Sequence, residues 1–301
     1  MKHSAPVGAV RFGAACGLVA ILAGCSGVLH PAGPVGDGEK QILLDSVAIM
    51  LMIVIPVIVA TLAFAWWFRA SNSRARYLPD WAFSGRIELV VWSIPTLVIM
   101  FLGGMAWISA HDLDPAKPLP AGQAQPLQVE VVSLDWKWLF IYPDQGIAAV
   151  NELVAPVGTP LRFRLTSGSV MTAFFVPQLG SMIYTMNGMV TQLNLRADRP
   201  GSYLGLASHF SGDGFSGMRF ETRAVAPAAF AAWVAAAKST GPVLDGRGYE
   251  ALSRQSQGVA PFTYRAVTPG LFEQIATQRL PPGPGPQGDG ASPAAPSETA
   301  P

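Results

Sequence analysis

Few residues in this chain have the type and spacing for chemistry. The stretch Tyr203 to Met218 reads Y-L-G-L-A-S-H-F-S-G-D-G-F-S-G-M. It holds an imidazole, His209, a carboxylate, Asp213, and a thioether, Met218. One histidine beside one aspartate does not make a metal site, so His209 reads first as a surface or structural histidine. Glu88 stands at the start of a long apolar segment. An ionisable group at that depth is costly and often functional; the plainer reading is a flanking charge that pairs with Arg86 or snorkels. Trp136 and Trp138 lie in an aromatic stretch suited to a core or a partner contact, and His111 closes an apolar segment as an interface residue. No phosphate loop, Ser/His/Asp set or paired-carboxylate motif is evident. Cys25 completes Leu22-Ala23-Gly24-Cys25, which matches the lipoprotein processing box L-[AS]-[GA]-C.

The elements that position these residues follow from composition. The chain has 301 residues, is 50% hydrophobic and only 13% charged, with a mean hydropathy of +0.34. That balance fits membrane segments joined to a soluble domain. The net charge of +1 argues against a nucleic-acid partner. The cysteines, Cys16 and Cys25, both lie near the N-terminus, so no disulfide framework holds the rest together.

Residues 1–24 read as a bacterial secretion signal, with Lys2 and Arg11 before the apolar run Phe12 to Leu22. Cleavage before Cys25 leaves a lipidated N-terminal cysteine. Residues 25–41 then form a lipidated tether, Gly/Pro-rich and flexible from Ser26 to Gly38. Residues 42–111 are expected to form a transmembrane helix hairpin, with helices at about 44–68 and 88–110. Ser46 to Phe68 carries no charge and spans roughly 35 Å as a helix, enough for the hydrocarbon core. Pro56 and Pro95 sit inside the segments, and Trp66, Trp67 and Trp107 mark interfaces. Between the segments, Arg69, Arg74, Arg76 and Arg86 face a lone acid, Asp80. Positive loops stay in the cytoplasm, which puts the N-terminus and everything after His111 outside. A lipid on Cys25 requires the same orientation.

After a Pro-rich linker the hydrophobic period becomes two. Leu127 to Val132, Leu161 to Leu165, Leu193 to Arg196 and Met218 to Arg223 alternate, punctuated by Pro143-Asp144, Pro156-Val-Gly158 and Arg199-Pro-Gly201. Short alternating strands with frequent turns indicate a β-sandwich or barrel over residues 126–226. Residues 227–280 read as a helical C-terminal arm, with Phe230, Trp233 and Val234 on one face of an Ala-rich helix. Residues 281–301 are Pro/Gly/Ser/Ala-rich and are expected to be disordered.

The loop from Tyr203 to Met218 resembles the copper loop of subunit II in haem-copper respiratory oxidases, Y-x-G-x-C-S-E-x-C-G-x-x-H-S-x-M. On that pattern Ala207 and Ser211 replace the bridging cysteines, His209 the glutamate and Phe215 the histidine; only Met218 keeps its ligand type. The upstream motif V-x-H-S-x-x-V-P is matched by Val170 to Pro177, with Thr172 at the ligand position. Asp135-Trp-Lys-Trp-Leu-Phe-Ile-Tyr-Pro143, Gly212 to Met218 and Val90-Val-Trp-Ser-Ile-Pro95 look like the quinol-oxidising, cytochrome bo-type branch. The resemblance implies a fold of membrane plus all-β type: a two-helix hairpin, a periplasmic cupredoxin-like β-sandwich without copper, and a short helical arm. It further implies a non-catalytic subunit of a proton-translocating ubiquinol oxidase in the bacterial inner membrane. No cofactor is expected in this chain, with haems and copper in subunit I. Subunits I, III and IV and membrane lipid are the expected partners, and ubiquinol is reached through subunit I. Glu88 falls where subunit II places a carboxylate at the entrance of a proton channel. Two rivals are a copper-bearing subunit II of a cytochrome c oxidase, opposed by the missing ligands, and a free-standing membrane lipoprotein, opposed by the two proline-bearing helices.

Overall fold

The computed structural model describes residues 26–76, 78–119 and 125–285. The expected secretion signal, Cys25 and the tail beyond residue 285 lie outside the described residues. The chain divides into two compact units, one of them Gly38–Asp114.

Among the described residues three helices come first: α1 (Ser26–Leu29), α2 (Pro34–Trp67) and α3 (Gly85–Asp112). The last two carry Pro56 and Pro95 in their interiors. Within Gly38–Asp114 large apolar side chains such as Met52, Leu62, Leu97 and Phe101 are exposed. Water cannot stabilise such helices; lipid or partner helices must cover them. Polar groups on them are satisfied locally, since the Thr61 and Thr96 hydroxyls each donate at 2.7 Å to the carbonyl one turn back, Val57 and Trp92.

The flexible tether expected before the first span is corrected by the structure. Helix α2 begins at Pro34, not near residue 44, with proline in the first turn and Asp37 complementing the helix dipole. Ala32 and Val35 are buried in the core of the β-domain. The Ala32 N–H donates to Gln178 O at 2.7 Å, Gly36 N–H to Leu179 O at 3.1 Å, and Ala32 O accepts from Asp198 N–H at 2.8 Å. Gly33 lies so close to the chain that an added Cβ would stand 2.0 Å from Arg196 O. Small residues here serve close packing, and their composition alone reads as flexibility.

The β-domain opens with β1 (Leu127–Leu134), β2 (Lys137–Tyr142), β3 (Ile147–Val150), β4 (Glu152–Pro156) and β5 (Leu161–Ser167). It continues with β6 (Thr172–Val176), β7 (Gly180–Thr185), β8 (Thr191–Leu195), β9 (Gly201–Ala207) and β10 (Arg219–Val225). The C-terminal arm follows as α4 (Pro227–Ser239), β11 (Val243–Leu244), α5 (Gly246–Ser253), β12 (Phe262–Tyr264), β13 (Ala266–Val267) and α6 (Leu271–Ala276). One sheet runs β12-β3-β2-β1-β5-β8, the other β4-β10-β9-β6-β7. Strand β1 runs antiparallel to β2 and parallel to β5. The sandwich core centres on aromatic rings: Phe174 stacks on Phe220 at 5.1 Å, and Trp138 meets both edge-on at 5.5 and 5.6 Å.

The arm is more than helical, because β12 adds an edge strand to the first sheet beside β3. Helices α5 and α6 cover the outer face of that sheet. Val132, Leu139 and Ile141 pack there with Tyr249, Leu252 and Phe272 in a second apolar cluster. Strand β2 is therefore buried at every position. Residues 281–285 are docked as well: Gly283 N–H donates to Gly168 O at 2.6 Å.

Candidate functional site

The β-domain brings the loop positions together at one end of the second sheet. Thr172 opens β6 and is buried; its hydroxyl donates to His209 O at 2.9 Å. Ala207 closes β9, pairs with Phe174 across the sheet, and donates its N–H to Met218 O at 3.0 Å. Ser211 is buried, and its hydroxyl lies 3.9 Å from the Met218 sulfur. Met218 sits in the core just before β10. Phe215 begins a single 3-10 turn, Phe215–Gly217, and its ring rests against Phe210 at 5.7 Å. The half-buried His209 meets the Tyr184 ring edge-on at 5.6 Å. No cluster of three or more His, Cys, Asp or Glu side chains occurs among the described residues.

A turn at Asp135-Trp136 between β1 and β2 braces this loop. Trp136 holds a left-handed backbone, φ 64°, which costs a bulky residue energy unless its surroundings fix it. They do: its indole N–H donates to Ser211 O at 3.1 Å. Gly214 lies flat against the indole, where an added Cβ would stand 2.4 Å from the ring. Trp138 is fully buried in the core.

The same turn carries a buried pair of charged residues that the periodic pattern did not single out. Asp135 accepts from the Ser169 hydroxyl and, at 3.1 Å, from Gly285 N–H. Lys137 donates to Arg254 O at 2.7 Å, Ser256 Oγ at 2.6 Å and Asp135 O at 3.3 Å. Burial brings the Lys137 ammonium down to about 8, partly offset by the nearby Asp135 charge. Thus the Asp-Trp-Lys turn ties the loop on one side to the C-terminal arm on the other. The clue in the sequence is two opposite charges inside an otherwise apolar run. Burial likewise pushes the Tyr249 hydroxyl well above its ordinary range, with the Asp135 charge adding to it.

Glu88 lies exposed in the first turn of α3; its N–H donates to Ser84 O at 3.0 Å. No ion pair with Arg86 occurs among the described residues. Around the loop, Met171, Met182, Tyr184 and Phe210 leave large apolar surface exposed, Phe210 to 71%.

A family model described as cytochrome c oxidase subunit II, periplasmic domain, matches residues 143–225. The ubiquinol oxidase subunit 2 of Acetobacter aceti is 51% identical over 261 residues, 86% of this chain and 84% of the relative. The chain belongs to the ubiquinol oxidase subunit 2 family. The cytochrome bo(3) ubiquinol oxidase subunit 2 of Pseudomonas aeruginosa is 48% identical over 86% of this chain and 78% of its own length. Among solved structures, the periplasmic domain of subunit II of the Bradyrhizobium japonicum cytochrome oxidase shares 27% identity, covering 38% of this chain and 94% of that one, with a TM-score of 0.37. Membership makes this chain a membrane-anchored subunit of a respiratory oxidase complex, with transmembrane helices ahead of a cupredoxin-like sandwich.

Proposed function

We propose that this subunit works without copper of its own, and that ubiquinol passes its electrons to haems and copper held in subunit I. The observation that carries this is the state of the ligand positions. A thiolate-bridged, imidazole-capped dinuclear copper does not fit them. Ala207 and Phe215 offer no donor atom, and the Thr172 hydroxyl is committed to His209 O. The Ser211 hydroxyl faces the Met218 thioether. The loop keeps its shape through packing and hydrogen bonds that need no metal.

The rest of the reading follows from that loss. An electron from a soluble periplasmic carrier needs a redox stop on its way to the haems, whereas ubiquinol is lipid-soluble and can reach subunit I within the bilayer. The subunit then stabilises the complex and caps its periplasmic face, a role supported by the exposed Met171, Met182 and Phe210 around the loop. The arginines between α2 and α3 support a cytoplasmic connection and periplasmic termini in the inner membrane, matching lipidation at Cys25. Glu88 serves the proton-channel entrance. Subunits I, III and IV are its partners in this reading.

The test is donor specificity. The complex, purified through a tag on this chain, should consume oxygen rapidly with a ubiquinol analogue and not with reduced cytochrome c. Metal analysis of the separated subunit should find no stoichiometric copper. Rapid turnover with cytochrome c, insensitive to quinol-site inhibitors, or an intensely coloured copper centre in this chain, overturns the proposal.

A further inference from the structure

We propose that the connection between α2 and α3 is a binding site for the phosphate headgroup of an anionic phospholipid. This rests on the reading that both helices cross the bilayer with the connection on the cytoplasmic side. Two side chains have already satisfied the carbonyl end of α2. Arg69 donates to Trp66 O at 2.7 Å and to Ser71 Oγ at 3.1 Å, with its guanidinium 4.8 Å from the Trp66 ring centre. Asn72 donates to Trp67 O at 2.6 Å. The anionic end of that helix dipole is thereby occupied and is no partner for further cations.

The remaining guanidiniums, of Arg74, Arg76 and Arg86, are exposed and form no ion pair among the described residues. Asp80 is the sole acid from Phe68 to Arg86 and takes no cation there. The connection therefore has an uncompensated positive charge. It also exposes Leu78, Trp81 and Phe83, each more than half. Indole and phenyl rings beside arginines suit the boundary where headgroups meet acyl chains. Guanidinium forks match the paired oxygens of a phosphodiester. A zwitterionic lipid presents the same phosphate with its own cation, so the uncompensated charge selects phosphatidylglycerol-type lipids.

The experiment uses the assembled oxidase, reconstituted in nanodiscs of phosphatidylethanolamine with a minor fraction of phosphatidylglycerol. After transfer to mild detergent, native mass spectrometry reads the ratio of the two lipids retained. Wild type should be enriched in phosphatidylglycerol. Each of Arg74→Gln, Arg76→Gln and Arg86→Gln should lower the enrichment roughly fivefold, as expected for one arginine near an anionic surface. The triple Arg→Lys variant keeps charge and topology and should give an intermediate ratio, because the fork is lost. Excess inorganic phosphate should leave the retained lipid in place. Unchanged enrichment in the triple Gln variant overturns the proposal. So does loss of a partner subunit with the lipid ratio unchanged, which would assign the arginines to a protein carboxylate. Maleimide labelling of Ser73→Cys in inside-out vesicles against spheroplasts reports topology separately. Labelling from outside would sink the cytoplasmic placement whatever the lipid ratio shows.

Discussion

Lys137 is a cation with 1% of its surface exposed, held by oxygens alone. Folding takes its ammonium from an ordinary value near 10.5 down to about 8. Between those values the unfolded chain binds more protons than the folded one, so stability rises with pH across that window. Below about 8 both states are protonated and the lysine's desolvation cost is fully felt. The swing is on the order of 2–3 kcal/mol. The melting temperature of the β-domain in the full chain should rise between pH about 8 and pH about 10 relative to Lys137→Met, which has no such titration. The raised hydroxyls of Tyr142, Tyr249 and Tyr264 act above that window and in the opposite sense. Parallel melting curves for the two proteins would refute the assignment.

At the scale of elements, the C-terminal arm is the cover of a sheet. Phe272 is 2% exposed and packs with Ile275 and Leu271 in the outer cluster. Arg164 lies 4.9 Å above its ring and bonds Glu130 at 3.0 Å and Glu273 at 2.6 Å. Truncating Phe272→Ala leaves a cavity under the arm and should cost about 3–5 kcal/mol, read as a lowered melting temperature and new protease cuts after residue 240. Val243→Ala, at a 42% exposed side chain, should change little. A melting temperature unchanged in Phe272→Ala would show that the arm does not carry the sheet. The period-two pattern located β1, β5, β8 and β10 because each has an alternating or partly wet face. It said little about β2, where Lys-Trp-Leu-Phe-Ile-Tyr has no wet face. Nor could it find β11 to β13, which are two or three residues long and exist only through their partners. The loop positions from Thr172 to Met218 were legible because a spaced motif fixes them. The bracing by Trp136 and the docking of Ala32 and Val35 were not, because both depend on contacts distant in sequence.

At the scale of the whole molecule, the chain puts a carboxylate with no ion pair among the described residues at the start of a helix that only lipid or partner subunits can cover. Glu88 lies in the first turn of α3, where the helix dipole favours a negative charge. Losing that charge costs the helix about 0.3–1 kcal/mol, too little to unfold a membrane span. An effect of Glu88→Gln on turnover would therefore report proton handling and not assembly. Glutamine keeps the shape and the hydrogen-bonding reach of the side chain but cannot exchange a proton at accessible pH. If Glu88 feeds protons to subunit I, Glu88→Gln in the assembled oxidase should slow oxygen consumption several-fold, with haem content and subunit composition unchanged. Glu88→Asp keeps the ionisable group on a shorter stem and should be milder. The quinol KM measured alongside oxygen consumption separates uptake from electron delivery, because a defect in uptake slows turnover while quinol binding is unaltered. Wild-type turnover in Glu88→Gln would reduce Glu88 to a flanking charge at the membrane surface.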